Sequence, residues 1–205
     1  MATDETVSRV TARYPAPDMT PEQFEVFVTT LFDSAKIHIP GLIVQPRETI
    51  QGTDGSFDFD ATVRYQLAGL EFLVLVEAKL HKNPIKRGLV QELHSKLLSV
   101  GAHKAVMIST APYQSGALKF ALTHGIALVT VTEGRFTYEN RMGVPPPDWT
   151  PPPTREDGAN WGTPTFVGHC YSPGATGGLA TTLMSTEGPE YVAELLLGVS
   201  PASND

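Results

Sequence analysis

The sequence predicts an α/β protein in which a mixed β-sheet is flanked by helices. Three observations predict it. Residues 24–32 carry apolar side chains at helical spacing, while residues 72–76, "FLVLV", form an unbroken apolar run of the kind that a strand buried on both faces shows. The candidate elements then follow in the order helix, strands, helix, strand, helix, strand. That alternation, with a hairpin at its start, builds one sheet covered on both sides.

Each element has a local reason. In "MTPEQFEVFVTTLF", Thr20 is an N-cap, Pro21 fits the first helical position and Gln23 completes a capping box. Phe24, Phe27, Val28, Leu31 and Phe32 then mark a single apolar face. Residues 43–50 predict a short strand and "GTDGS" a turn. Residues 57–66 alternate as a half-buried strand, with Phe57, Phe59, Ala61, Val63 and Tyr65 on one face and Asp58, Asp60, Thr62 and Arg64 on the other. "AGL" turns the chain, and residues 70–79 return as the hairpin partner. A helix is expected over residues 84–100, capped by Asn83, begun by Pro84 and ended by Gly101, with Leu89, Leu93, Leu97 and Val100 buried. "KAVMIST" reads as a strand, residues 115–124 as a short helix closed by Gly125, "IALVTVT" as a strand and "RFTYEN" as one more.

The chain divides into an N-terminal arm (1–17), a main domain (18–142), a Pro-rich linker (143–153) and a small C-terminal tail (154–205). Residues 145–153 hold six prolines, which suit an extended linker and no core element. The tail is rich in Gly, Pro, Ser and Thr, and only "PEYVAELLLG" looks helical. Docking on the main domain, self-association and mobility are all open to it. No run of eighteen apolar residues exists, so no membrane helix is expected, and the polar N-terminus predicts no secretion. The single cysteine, Cys170, forms no internal disulfide, which fits a cytoplasmic protein. A net charge of −7 counts against nucleic-acid binding by the whole surface, though not against a local basic face.

The apolar run at 72–76 ends on two charges, Glu77 and Lys79, separated by Ala78. An isolated carboxylate in a low-dielectric interior neutralises or finds a partner. Strand alternation puts Glu77 and Lys79 on one face and Ala78 on the other. Pairing across the "AGL" turn sets Asp60 opposite Glu77, and Asp58 shares its face. Two carboxylates beside a lysine form an oxygen site suited to Mg²⁺, with an ammonium placed to steady developing negative charge. This is apparatus for phosphodiester hydrolysis.

Here the residues meet a family. Asp60 in "FDA", then "VEAK", "MIST", "QSGALKFAL" and "HGIALV", in this order over roughly residues 18–140, resemble the Mrr-type restriction endonuclease domain of the PD-(D/E)xK nuclease superfamily. The resemblance implies a restriction-endonuclease-like sheet, DNA as partner, and dependence on Mg²⁺, with Mn²⁺ able to substitute. It implies that Asp60 and Glu77 are metal ligands, that the Ala78 carbonyl adds a third, and that Lys79 is the catalytic lysine. Relatives often have Cys where Ala78 stands; that side chain faces away from the site. "GSFD" offers Asp58 as the motif aspartate, but "FDAT" leading into the strand favours Asp60. Related nucleases also suggest Gln91 on the following helix and an acidic residue on the first helix, here Glu25. Lys82, Lys86 and Arg87 form a basic patch for DNA phosphates.

Plainer readings stand beside these. Glu77 and Lys79 make a solvated ion pair, worth little, if the rest of the pattern is chance. Asp58, Gln91 and Glu25 are ordinary surface residues, and the basic patch a solvated face. His169 beside Cys170 supplies too few ligands for a metal, and Ser115 starts a helix and has no histidine–acid partner. The function expected is a metal-dependent DNA endonuclease acting in restriction or defence against foreign DNA. Its alternatives are a non-catalytic DNA-binding or protein-interaction module and a structure-specific repair nuclease. The acidic surface suggests a homodimer or partner protein completing the DNA channel.

Overall fold

The computed structural model describes residues 16–133, 166–173, 179–186 and 188–197. Helix α1 (Pro21–Ser34) begins as its sequence dictates: the Gln23 amide donates to Thr20 Oγ1, and the Thr20 amide to Gln23 Oε1. Phe24, Val28, Leu31 and Phe32 are its buried stripe. Strands β1 (Ile43–Gln51), β2 (Ser56–Leu67) and β3 (Leu70–Lys79) form an antiparallel meander. Helix α2 (Arg87–Val100) crosses to β4 (Lys104–Ser109), and α3 (Ser115–His124) to β5 (Ala127–Glu133), both strands running parallel to β3. Strands β6 (Phe166–Pro173) and β7 (Leu179–Met184) continue antiparallel, followed by helix α4 (Pro189–Leu197). The sheet has seven strands in chain order.

Two apolar layers sandwich this sheet. On one face α1 and α4 pack on Ala61, Val63, Val74, Val76, Ile108 and Val129. On the other, Leu75, Met107 and Leu128 meet Ile85, Val90 and Leu93 beside α2 and Ala117, Leu118 and Ala121 of α3. The C-terminal stretch thus supplies β6, β7 and α4, with Val192, Ala193 and Leu196 in the first layer.

Several boundaries move for physical reasons. The strand expected over 43–50 is a full nine-residue partner of β2. Helix α2 starts at Arg87 and not at Pro84, because buried Ile85 is drawn into a parallel bridge with Tyr113; its amide donates to Pro112 O at 2.7 Å and its carbonyl accepts from the Gln114 amide at 3.0 Å. Gly101 ends the helix at φ +72°, as expected. The expectation that Phe57 to Tyr65 keep one face is corrected. Phe57 and Phe59 join the α2–α3 layer, whereas Ala61, Val63 and Tyr65 join the α1–α4 layer. The change of face falls at Asp60, across from Arg47, whose φ of +49° interrupts the neighbouring strand. The expected strand "RFTYEN", the Pro-rich linker and most of the N-terminal arm lie outside the described residues.

One turn positions the site. Ala68 (φ +51°) and Gly69 (φ +81°) form a two-residue hairpin loop between Leu67 and Leu70. Positive φ at both loop positions matches the twist of the flanking strands. Loop length sets register, and the ladder runs from Leu67↔Leu70 to Ala61↔Val76. Just beyond its last pair the Asp60 side chain accepts the amide of Ala78, next to Glu77.

Candidate functional site

β3 passes through the core as Val74, Leu75 and Val76, each fully buried, and Glu77 follows with only 4% of its surface exposed. A carboxylate this deep requires compensating charge. It has two cations. Lys79 Nζ donates to Glu77 Oε2 at 2.7 Å, and Lys96 Nζ, from α2, donates to Oε1 at 2.6 Å. Lys96 also lies over the Phe59 ring, 5.6 Å from its centroid, a cation–π contact that holds the ammonium at the layer's edge. Its second acid is Glu92, at 3.6 Å one helical turn earlier. Burial pulls the Lys96 ammonium down, but the hydrogen bond and attraction of Glu77, with Glu92 behind them, outweigh it and hold its pKa above the usual lysine value.

Asp60 reaches the same strand end from β2. Its Oδ2 accepts the Ala78 amide at 2.6 Å, between the two motif charges. Burial pushes the Asp60 carboxyl up; the Ala78 amide and Lys79 oppose this, the Glu77 and Glu25 charges add to it, and the net shift is upward. Beyond the motif, Lys79 O accepts the Thr110 amide at 3.2 Å, and Thr110 Oγ1 bonds both the amide and the carbonyl of His81. The end of β3 is therefore pinned to the end of β4.

The other sequence-predicted residues fall elsewhere. Glu25 lies on α1 and grips Arg47, whose Nη2 is 2.6 Å from Oε2; it touches the site only through its field at Asp60. Asp58 is exposed and accepts Thr49 Oγ1 at 2.6 Å across the β1–β2 pair, away from the Glu77 cluster. Gln91 is exposed on α2. At 100° per residue it lies about 140° around the helix from Lys96, so it does not face Glu77. Lys82, Lys86 and Arg87 are exposed between β3 and the first turn of α2, with Arg87 stacked 5.2 Å from the Phe120 centroid.

Sequence reasoning missed Lys96. The signal was present: positions 89, 93, 96 and 100 form a stripe at i, i+4, i+7 and i+11, and a lysine occupies the third place among apolar residues. A charge inside a buried stripe demands a partner.

Among the described residues no three His, Cys, Asp or Glu side chains gather into a metal cluster. The donor set is two carboxylates and main-chain oxygen. Those hard oxygen ligands fit Mg²⁺, which keeps several waters and needs one or two carboxylates. The two ammonium groups already on Glu77 show that positive charge is stabilised at this spot.

A family model described as restriction endonuclease, the Mrr catalytic domain, matches residues 16–133, and the chain belongs to that family. Its class is accordingly that of the restriction-endonuclease family, and the chain spans 56% and 31% of the length of the two solved structures it matches. No curated protein matches the chain. Two solved structures are similar to part of the chain. One is a protein of unknown function, AF1548, 18% identical with a TM-score of 0.38, the match covering 48% of this chain and 56% of that one. The other is the DNA modification-dependent restriction endonuclease AspBHI, 19% identical with a TM-score of 0.40, covering 60% of this chain and 31% of that one. Among the described residues no helix is long and apolar enough to cross a membrane.

Proposed function

We propose that the protein is a divalent-metal-dependent DNA endonuclease acting in restriction of foreign DNA, with its centre at Asp60, Glu77 and Lys79. One observation carries this reading: just beyond the last hairpin pair, Ala61↔Val76, Asp60 grips the amide of Ala78, the residue between Glu77 and Lys79, and feels the charges of both. Asp60, Glu77 and the Ala78 carbonyl would hold the cation, which supplies Lewis-acid charge at the scissile phosphate. The Ala78 amide bond fixes the Asp60 carboxyl against the strand end. Lys79, on the Glu77 face, steadies negative charge as it builds on the phosphoryl oxygens. The exposed Lys82, Lys86 and Arg87 line the approach from β3 to α2 and meet flanking phosphates. The net charge of −7 leaves this local patch, together with a second copy or a partner protein, to complete the DNA channel.

The test is cleavage of supercoiled plasmid with Mg²⁺ or Mn²⁺, wild type against Lys79→Ala. Metal-dependent nicking that Lys79→Ala abolishes supports the reading. Activity that survives the substitution, or tight DNA binding without cleavage under either metal, overturns it. Plasmid, methylated DNA and branched junctions compared side by side separate a restriction role from repair.

A further inference from the structure

Glu77 is the most deeply buried side chain of the proposed centre, and both its oxygens carry a lysine: Oε2 has Lys79 at 2.7 Å, Oε1 has Lys96 at 2.6 Å. A metal approaching Glu77 meets a cation already on each oxygen, and the repulsion favours the departure of one of them. The two lysines are not equivalent. Lys79 sits two residues along the same strand, so their spacing is set by the backbone. Lys96 comes from α2, and a second carboxylate, Glu92, waits 3.6 Å from its Nζ. Glu92 is mostly exposed, so the ammonium that leaves Glu77 moves toward water and not deeper into the core.

We propose that Lys96 is a resident counter-ion for Glu77, holding Oε1 in the metal-free protein and turning to Glu92 when a divalent cation arrives. This inference rests on the metal-dependent reading of the site. Lys96 is a positioning residue and touches no reacting atom. Its effect is to answer the buried Glu77 charge and to set the metal affinity low until substrate phosphate adds its own negative charge. With two cations on one carboxylate, either can leave without stranding a bare buried charge.

The experiment is Mn²⁺ uptake by the full chain without DNA, followed by the electron paramagnetic resonance signal of free Mn²⁺. Lys96→Met is expected to bind Mn²⁺ about tenfold more tightly than wild type, because a like charge within a few ångströms of the metal is gone. A merely structural lysine predicts the reverse, since its loss loosens Glu77. Glu77→Gln, run in parallel, is expected to lose the Mn²⁺ altogether. Uptake in Glu77→Gln equal to wild type overturns the metal reading itself. Loss in Glu77→Gln with no tightening in Lys96→Met overturns the counter-ion role alone. Lys96→Gln, which keeps a polar tip, takes the place of Lys96→Met if the latter does not fold. Glu92→Gln is expected to weaken uptake about twofold with Lys96 present and to be silent in Lys96→Met, as a coupled pair requires. Equal weakening in both backgrounds overturns the part given to Glu92.

Discussion

Glu48 and Glu77 are both carboxylates that strands carry toward the interior, and the molecule treats them differently. Glu48, on β1, meets Arg64 of β2 in a two-pronged bond, Nη1 to Oε2 at 2.7 Å and Nη2 to Oε1 at 3.0 Å, with Thr62 Oγ1 added to Oε2. Each donor of this group has a fixed place, and one carboxylate answers one guanidinium. Glu77 is deeper and is shared by two separate ammonium groups from different elements. The first arrangement is closed: to remove either partner leaves a charge unanswered. The second is open, since one cation can exchange for another. Glu48–Arg64 has the form of a pair that stabilises, and Glu77 has the form that the proposed cation site requires.

Neutralising each acid in turn breaks or upholds that distinction. Glu77→Gln is expected to lower plasmid cleavage roughly a thousandfold, the scale of losing a group that organises charge at the reacting centre. Glu48→Gln is expected to leave it within about threefold, because its partners lie along β1 and β2 outside the strand end. A large loss in Glu48→Gln, measured by the same nicking assay, would erase the contrast.

Stability separates them next. Glu77→Ala strands two ammonium groups at a mostly buried position and is expected to cost about 3 kcal/mol in urea unfolding. The Glu48–Arg64 pair is partly open to water, with the Arg64 side chain 39% exposed, so screening reduces its share and Glu48→Ala is expected to cost about 1 kcal/mol. Equal costs would mean that the second lysine on Glu77 is ornamental.

Acid titration gives the two regions opposite signs. Burial pushes Glu48 up, but the Arg64 and Thr62 bonds outweigh it and hold its carboxyl below the usual 4.5. Its stabilisation is present above that unfolded value and is lost as pH falls through the depressed folded one. Asp60 is raised above 3.8, chiefly by burial. Its native state is therefore most favoured below 3.8 and loses that advantage as pH rises through the raised folded value. Glu48→Gln should then be less stable than wild type near neutrality, with the gap closing in acid. Asp60→Asn, which keeps an acceptor for the Ala78 amide, should be more stable near neutrality, again with the gap closing in acid. Thermal melts between pH 3 and pH 7 read both; a destabilised Asp60→Asn at pH 7 would show that the carboxylate is held by its partners and not merely buried.

What the sequence disclosed follows from how local each cause is. Thr20, Pro21 and Gln23 write the start of α1 within four residues, and the two-residue loop at Ala68-Gly69 writes the hairpin register from Leu67↔Leu70 to Ala61↔Val76. Both were legible because short-range geometry decides them. Ile85 was not: its capture by Tyr113 shortens α2, and the partner lies 28 positions away in the chain. The face change at Asp60 was equally hidden, since it depends on Arg47 in the neighbouring strand adopting positive φ. Lys96 stood in plain view as a charge within an apolar stripe, but only the crossover that lays α2 against β3 tells which acid it answers.

The smallest expected effect tests the helix that joins both arguments. Gln91 was drawn into the site by resemblance to related nucleases, yet it is exposed on α2, while Lys96 on the same helix reaches Glu77. A side chain about 140° from the contacting one lies on the opposite side of the cylinder and cannot touch the same carboxylate without the helix turning. Gln91→Ala is therefore expected to change cleavage by less than about twofold and stability by less than about 0.5 kcal/mol, as for an ordinary exposed position. A Gln91→Ala protein that folds normally yet loses cleavage a hundredfold would mean that α2 rotates when DNA binds. The face now presented by Lys96 would then be that of the DNA-free protein alone.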